Sequence, residues 1–178
     1  MSELLTWLPE LLDFSPWDDS TYEKLYEFFC KQIRDVTLNY LGNEVWFFRE
    51  EFEDGKEKLF WHLTSRKPEA EKVPRRKKKF QRKGILREGA EREPDLRRCE
   101  RLSWVNPIIC NCHEPDVLDW DYIEGNRVRK TYLWLKDYSF MVILKCYPDR
   151  RRRLITSFYI DSDWTQEDFE RKYRNRER

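Results

Sequence analysis

Three stretches of the 178-residue chain carry side chains that can move protons or hold a phosphate. Phe60-Trp61-His62-Leu63-Thr64-Ser65 places one of only two histidines in an aromatic run. Imidazole titrates near neutrality, so His62 is the first candidate for acid–base work. In Arg97-Arg98-Cys99-Glu100-Arg101-Leu102-Ser103-Trp104, the side chains of Arg97, Arg101 and Trp104 recur at i, i+4 and i+7. Guanidinium forks match phosphate oxygens, and an indole face can stack on a base. The third stretch, Leu154-Ile155-Thr156-Ser157-Phe158-Tyr159, carries hydroxyls at the centre of a strand-like segment.

A histidine, one or two arginines and a hydroxyl suffice for metal-independent cleavage of RNA, in which the ribose 2′-hydroxyl attacks its own phosphate. His62 would transfer the proton, Arg97 and Arg101 would stabilise charge on the phosphoryl oxygens, and Thr156, Ser157 or Tyr159 would position the scissile phosphate. Strand alternation groups Thr156 with Leu154, Phe158 and Ile160, and Ser157 with Arg153, Ile155 and Tyr159. A regular strand therefore cannot offer both hydroxyls to one site, and a bulge would reverse the parity. The run Arg75-Arg76-Lys77-Lys78-Lys79 is a candidate phosphate-contacting arm, because clustered cations gain affinity by releasing counterions from a nucleic-acid backbone. Each feature also has a plainer meaning: a satisfied histidine, an ordinary charged helix face and a solvated loop.

Cys110, Cys112 and His113 offer zinc-ligand types, but a closed tetrahedral site draws on two ligand pairs, and only isolated Cys30, Cys99, Cys146 and His62 remain. No metal is expected. No glycine-rich phosphate loop, serine nucleophile elbow or CxxC pair is present, so no cofactor is expected either.

The elements that must position these residues follow from periodicity. Leu4 to Leu12 suggests a short helix broken at Pro9, and Ser15-Pro16-Trp17-Asp18-Asp19 caps a longer one through about Val36. Val45 to Phe48 and Leu59 to Leu63 read as two strands of a hairpin around Asp54-Gly55, with His62 on the second strand facing with Phe60 and Thr64. Residues 66–93 lose all periodicity and read as a basic, mobile loop. Pro94-Asp95 opens a helix with Leu96, Cys99, Leu102 and Val105 buried, ended or kinked by Pro107. Val128 to Leu135, Phe140 to Tyr147 and Arg153 to Ile160 form an antiparallel meander, with Val117 to Tyr122 a leading strand or helical turn. A charged helix over 164–178 closes the chain.

These elements predict one α+β domain over 1–178, with a helical N-terminal part (1–42) packed on an antiparallel sheet of about four to five strands. Of the residues, 39% are hydrophobic and 16% aromatic, enough for one core. With 35 Lys and Arg against 34 Asp and Glu, net charge says nothing about nucleic acid, and only local clusters can. Five irregularly spaced cysteines, no signal-like start and no long apolar run point to a reducing cytoplasm and no membrane.

The ordered set of Phe60 to Leu63, Asp95 to Trp104, Tyr132-Leu133-Trp134-Leu135 and Thr156 to Tyr159 resembles the phage- and toxin-associated ribonucleases of the barnase, EndoU, colicin D and RelE superfamily, the BECR fold. The likeness covers roughly residues 57 to 160. It implies a helical part preceding a four-stranded antiparallel sheet that bears the site, and RNA cleavage without a metal. Carried onto this chain, it implies His62, an arginine among Arg97, Arg98 and Arg101, and Thr156 with Tyr159 as site residues. It also implies RNA as partner, with tRNA, mRNA and rRNA undistinguished, and an antitoxin or immunity protein. Arg98, Trp104, Ser157 and the Arg75 to Lys79 run complete the expected substrate-binding set. The alternative from a different class is a non-catalytic RNA- or protein-binding module.

Overall fold

The computed structural model describes residues 5–18, 20–66 and 92–177. The run Arg75 to Lys79 and most of the expected basic loop lie outside the described residues.

The fold is α+β. Residues 5–15 are irregular, with a turn at residues 6–8, and among the described residues before Pro16 there is no helix. Asp18 accepts from the backbone N–H of Ser20 at 2.8 Å and opens α1 (Thr21–Phe29), which continues as a π-helical turn, Cys30–Arg34. Leu25, Phe29 and Ile33 are fully buried along it. The helical part ends sooner than residue 42, because β1 (Leu38–Tyr40) and β2 (Asn43–Trp46) pair as a hairpin. Its two-residue turn is Leu41-Gly42, both at positive φ, the geometry that suits the twist of a tight hairpin.

Asp54-Gly55 does form a turn, but it joins only β3 (Phe52–Glu53) and β4 (Lys56–Glu57). The expected return strand is instead a helix, α2 (Lys58–Thr64). Its buried Leu59, Phe60 and Leu63 fall at i, i+1 and i+4, one helical stripe, and leave His62 exposed. β5 (Ser65–Arg66) then pairs antiparallel with β6 (Glu93–Pro94), with Ser65 opposite Pro94 and Arg66 opposite Glu93.

The expected single helix after Pro94 is three pieces: α3 (Leu96–Glu100), a 3₁₀ turn over Leu102–Trp104, and α4 (Val105–Cys110). Pro107 neither ends nor kinks α4, because it occupies the first turn, where a missing N–H costs nothing. Cys99, Leu102 and Val105 are buried as expected, whereas Leu96 is 54% exposed.

The meander matches expectation: β7 (Val117–Ile123), β8 (Arg129–Leu135), β9 (Phe140–Cys146) and β10 (Arg152–Tyr159), followed by α5 (Asp163–Arg174). The sheet is nevertheless mixed, not antiparallel, and has six strands in the order β1-β2-β10-β9-β8-β7. Its parallel step is short, Arg152 opposite Val45 and Arg153 opposite Trp46. Nor are the helices all N-terminal, since α5 follows the sheet.

The sheet curls until its edge strands meet: Tyr40 of β1 donates to the carboxylate of Asp119 on β7 at 2.8 Å. Its inner face, with Leu133, Leu135, Val142 and Leu144, packs on α1, α2 and α4. Its outer face, with Trp120, Tyr132, Trp134, Met141 and Ile143, packs on Phe169 of α5. No helix among the described residues is long and apolar enough to cross a membrane.

Candidate functional site

Two polar assemblies lie on this frame. The first gathers residues that the sequence singles out. The main-chain oxygen of His62, near the C-terminus of α2, accepts from Arg98 Nη1 at 2.8 Å and Thr156 Oγ1 at 3.0 Å. Arg98 Nη1 also reaches Thr156 Oγ1 at 3.4 Å, and its Nε bonds Asp95, the N-cap of α3, at 3.2 Å. A cation at a helix C-terminus complements the helix dipole, so Arg98 ties α2, α3 and β10 together. Burial lowers the pKa of Arg98, opposed by the Asp95 carboxylate. Arg97 and Arg101 both lie over the Tyr159 ring, at 4.4 and 4.8 Å. Arg101 also donates to the oxygen of Arg97 and to Glu100.

The three stretches therefore meet at the main-chain oxygen of His62. The same residue lines a cleft of ≈ 150 Å³ with Phe48, Glu51, Lys58 and Arg153. Two of the expected substrate-binding residues are buried instead. Trp104 is only 5% exposed, and its Nε1 donates to the oxygen of Pro9 at 2.8 Å, so its face is not open to a base. The register slips between Leu154 and Thr156. That bulge puts Leu154 and Ser157 opposite Leu144 and Val142 on the inner face, where Ser157 is sealed at 0% exposure. The hydroxyl of Ser157 cannot reach a substrate from there.

The cysteine cluster does not close. Cys110 is exposed and bonds Asn106, Cys112 is buried, and exposed His113 faces Glu114. Among the described residues, no three His, Cys, Asp or Glu side chains are placed to hold a metal.

The second assembly was not anticipated. Asp119 and Asp121 alternate onto the inner face of β7, opposite Leu133 and Thr131 of β8. Tyr40 donates to Asp119, and Thr131 donates to Asp121 at 2.6 Å while accepting from Arg152 Nε at 2.9 Å. Arg152 also reaches Asp121 at 3.3 Å and lies 4.4 Å over the Tyr40 ring. Cys146 Sγ stands 2.9 Å from Thr131 Oγ1, with burial raising its pKa. Burial lifts the Asp119 carboxyl to about 6, reinforced by the Asp121 charge and resisted by the Tyr40 hydrogen bond and Arg152. The Tyr40 phenol is pushed well above its ordinary range by burial and Asp119, so it keeps its proton.

Two open concavities flank this cluster. One, of ≈ 330 Å³, exposes Tyr40, Asp119 and Asp121 beside Arg129 and Glu177. The other, of ≈ 660 Å³, lies between the tips of the β7–β8 and β9–β10 hairpins and is lined by Arg127, Arg129, Lys145, Arg150 and Arg152 against a single acid, Asp121. Arg127 and Arg150 sit at the tips with φ of 63° and 66°, a conformation that costs a non-glycine residue free energy and gathers at functional sites. The signal that the sequence offered was the alternation Asp119-Trp120-Asp121, two acids on one face of a strand, together with an arginine at each hairpin tip. No protein-family model, curated protein or solved structure matches the chain.

Proposed function

We propose that the protein is a metal-independent ribonuclease whose chemistry occurs at Asp119, Tyr40 and Arg152, with the RNA backbone held in the basic cleft between the hairpin tips. One observation carries the reading: a half-buried carboxylate that burial lifts to about 6 stands beside Arg152, and Arg152 and Asp121 line the adjoining cleft with its five cations. A general base works best when its pKa lies just below the operating pH.

At neutral pH, Asp119 is mostly ionised and takes the proton of the ribose 2′-hydroxyl. The 2′-oxygen forms its bond to phosphorus, the bond to the 5′-oxygen breaks, and the departing oxygen takes a proton from water in the open cleft. Of the five N–H donors of Arg152, three are engaged, by Thr131, Asp121 and the oxygen of Arg150. The remaining two and the cations at the tips meet the charge that builds on the phosphoryl oxygens. Tyr40 stays protonated and holds Asp119 in place. Thr131 fixes the orientation of Arg152 against Asp121.

The second reading is binding without cleavage. It is favoured by Arg127, Lys145 and Arg150, which make no ion pair among the described residues and would suit a phosphate backbone by themselves. Incubation with labelled single-stranded RNA in EDTA separates the two. The ribonuclease reading expects products ending in a 2′,3′-cyclic phosphate, lost with Asp119→Asn and with a 2′-deoxy substrate. Cleavage that needs a divalent metal, or survives Asp119→Asn, overturns it. Tight binding with no cleavage establishes the second reading instead.

A further inference from the structure

The outer face of the sheet carries a row of side chains with no role in the packing on α5. Arg153 of β10 stands opposite Trp46 of β2 on one side and Lys145 of β9 on the other, and Lys145 stands opposite Lys130 of β8. Like charges directly opposite one another destabilise a sheet, so three adjacent cations are a cost that the fold carries. Lys130 has Glu124 at 3.7 Å, but neither Lys145 nor Arg153 forms an ion pair among the described residues.

Their neighbours are aromatic instead. The Arg153 guanidinium lies 4.4 Å over the Phe48 ring and 5.9 Å over Trp46, and the Lys145 ammonium lies 5.0 Å over Tyr147. The Trp46 ring touches both of the others, Phe48 at 5.1 Å and Tyr147 at 5.5 Å. Trp46 Nε1 and Arg153 Nε are buried and have no hydrogen-bond partner among the described residues. Phe48 is 41% exposed.

We propose that Trp46, Phe48, Lys145, Tyr147 and Arg153 form a binding platform for single-stranded nucleic acid, which stacks bases on the rings and holds phosphates on the two cations. Unpaired cations interleaved with touching aromatic rings are the chemistry that a single strand requires, because each base has a face to stack and each linkage a charge to neutralise. A duplex hides its base faces and cannot use the rings. Lys145 and Tyr147 also line the cleft between the hairpin tips, so the platform is continuous with it and the strand passes from one to the other. Only in taking this strand to be the RNA that is cleaved does the proposal rest on the ribonuclease reading.

The test measures binding apart from cleavage, in an Asp119→Asn background, by fluorescence anisotropy of a labelled RNA of about 12 nucleotides, a length within the range that one such surface covers. Phe48→Ala is expected to weaken the single strand about three- to tenfold and to leave the affinity for a duplex of the same sequence unchanged, whereas Arg153→Gln, which removes a phosphate contact, is expected to weaken both. Tryptophan emission should be quenched on binding, and Trp46→Phe should remove most of the quenching. Phe48→Ala alters an exposed ring, so it remains informative even if Arg153→Gln unfolds. Unchanged single-strand affinity in Phe48→Ala, equal losses for strand and duplex in that variant, or displacement of the strand by polyglutamate at equal charge overturns the platform. A parent protein that cleaves nothing while Phe48 still controls strand affinity sinks the ribonuclease reading alone; cleavage that needs Asp119 while Phe48 has no effect sinks the platform alone.

Discussion

Two groups of arginines in this molecule have the same chemistry and different surroundings. At the junction of α2, α3 and β10, Arg98 directs its donors to a helix carbonyl, a hydroxyl and an N-cap carboxylate. Between the hairpin tips, Arg127 and Arg150 hold strained backbone, form no ion pair among the described residues and line an open cleft. An arginine whose bonds tie two helices to a strand, as those of Arg98 do, has a structural task, however suggestive its spacing. One that the fold positions at a cost, and leaves unspent, is available to a ligand.

The largest expected effect falls on Asp119. Asp119→Asn should lower cleavage by about 10²- to 10⁴-fold, the usual contribution of a positioned base. The same change should have an opposite sign for stability. The folded-state pKa lies above the unfolded one, so the native state holds the proton more tightly and loses stability as pH rises from about 4 through about 6. The slope is at most about 1.4 kcal/mol per pH unit. Above pH 6, Asp119→Asn should therefore melt higher than the parent, and the advantage should vanish near pH 4. In the parent, cleavage should rise with pH through about 6 and then level off. A thermal-melt series against pH, paired with a rate profile, checks both signs.

Next in size is Arg98→Met, which leaves the His62 oxygen and Asp95 without their charged donor. A charge-assisted hydrogen bond is worth about 1.5–3 kcal/mol, so melting should fall by several degrees, while cleavage per folded molecule is unchanged. A loss of turnover out of proportion to the loss of folding would move Arg98 into the site.

A smaller and more diagnostic effect is expected of Arg150→Gly. Glycine accepts the positive φ without strain, so melting should stay level or rise, while the slope of RNA affinity against salt should fall by about one unit. Smallest is His62→Ala. The junction holds the main-chain oxygen, which every residue carries, and the proposed chemistry lies at Asp119, so cleavage per folded molecule should persist. Loss of cleavage in this variant with Asp119 intact would return the chemistry to the imidazole.

The meander and the C-terminal helix were legible because strands with alternating or continuous β-branched and aromatic residues, separated by Lys136-Asp137 and Pro148-Asp149, leave few alternatives. The run Leu59 to Leu63 was not. Five residues with three large apolar side chains fit period 2 and period 3.6 equally well, and only the partner surfaces decide. The parallel pairing of β2 with β10 was invisible for a different reason: it joins residues more than 100 positions apart through two register positions, which no local pattern encodes. The bulge at Ile155 likewise depends on what packs on β10. Of the site, spacing singled out Arg97 and Arg101, whereas the arginine that bonds the main-chain oxygen of position 62 is Arg98, which only the resemblance admitted, and Thr156 was one of three hydroxyls left open. Asp119 and Tyr40 come from opposite edges of the sheet, so their meeting follows from the curl and not from either segment.

The Tyr40–Asp119 contact also sets an order of events. A ribosome emits the β1–β2 hairpin long before β10, the strand on which that hairpin docks. Until β10 has emerged and paired, Tyr40 has no fixed position relative to Asp119, and the sheet remains open. Long-range pairing of this kind is the slow part of folding. On the ribonuclease reading, the nascent chain would therefore stay inert beside the ribosomal RNA that surrounds it, because the Tyr40–Asp119 cluster is completed by one of the last strands to be made.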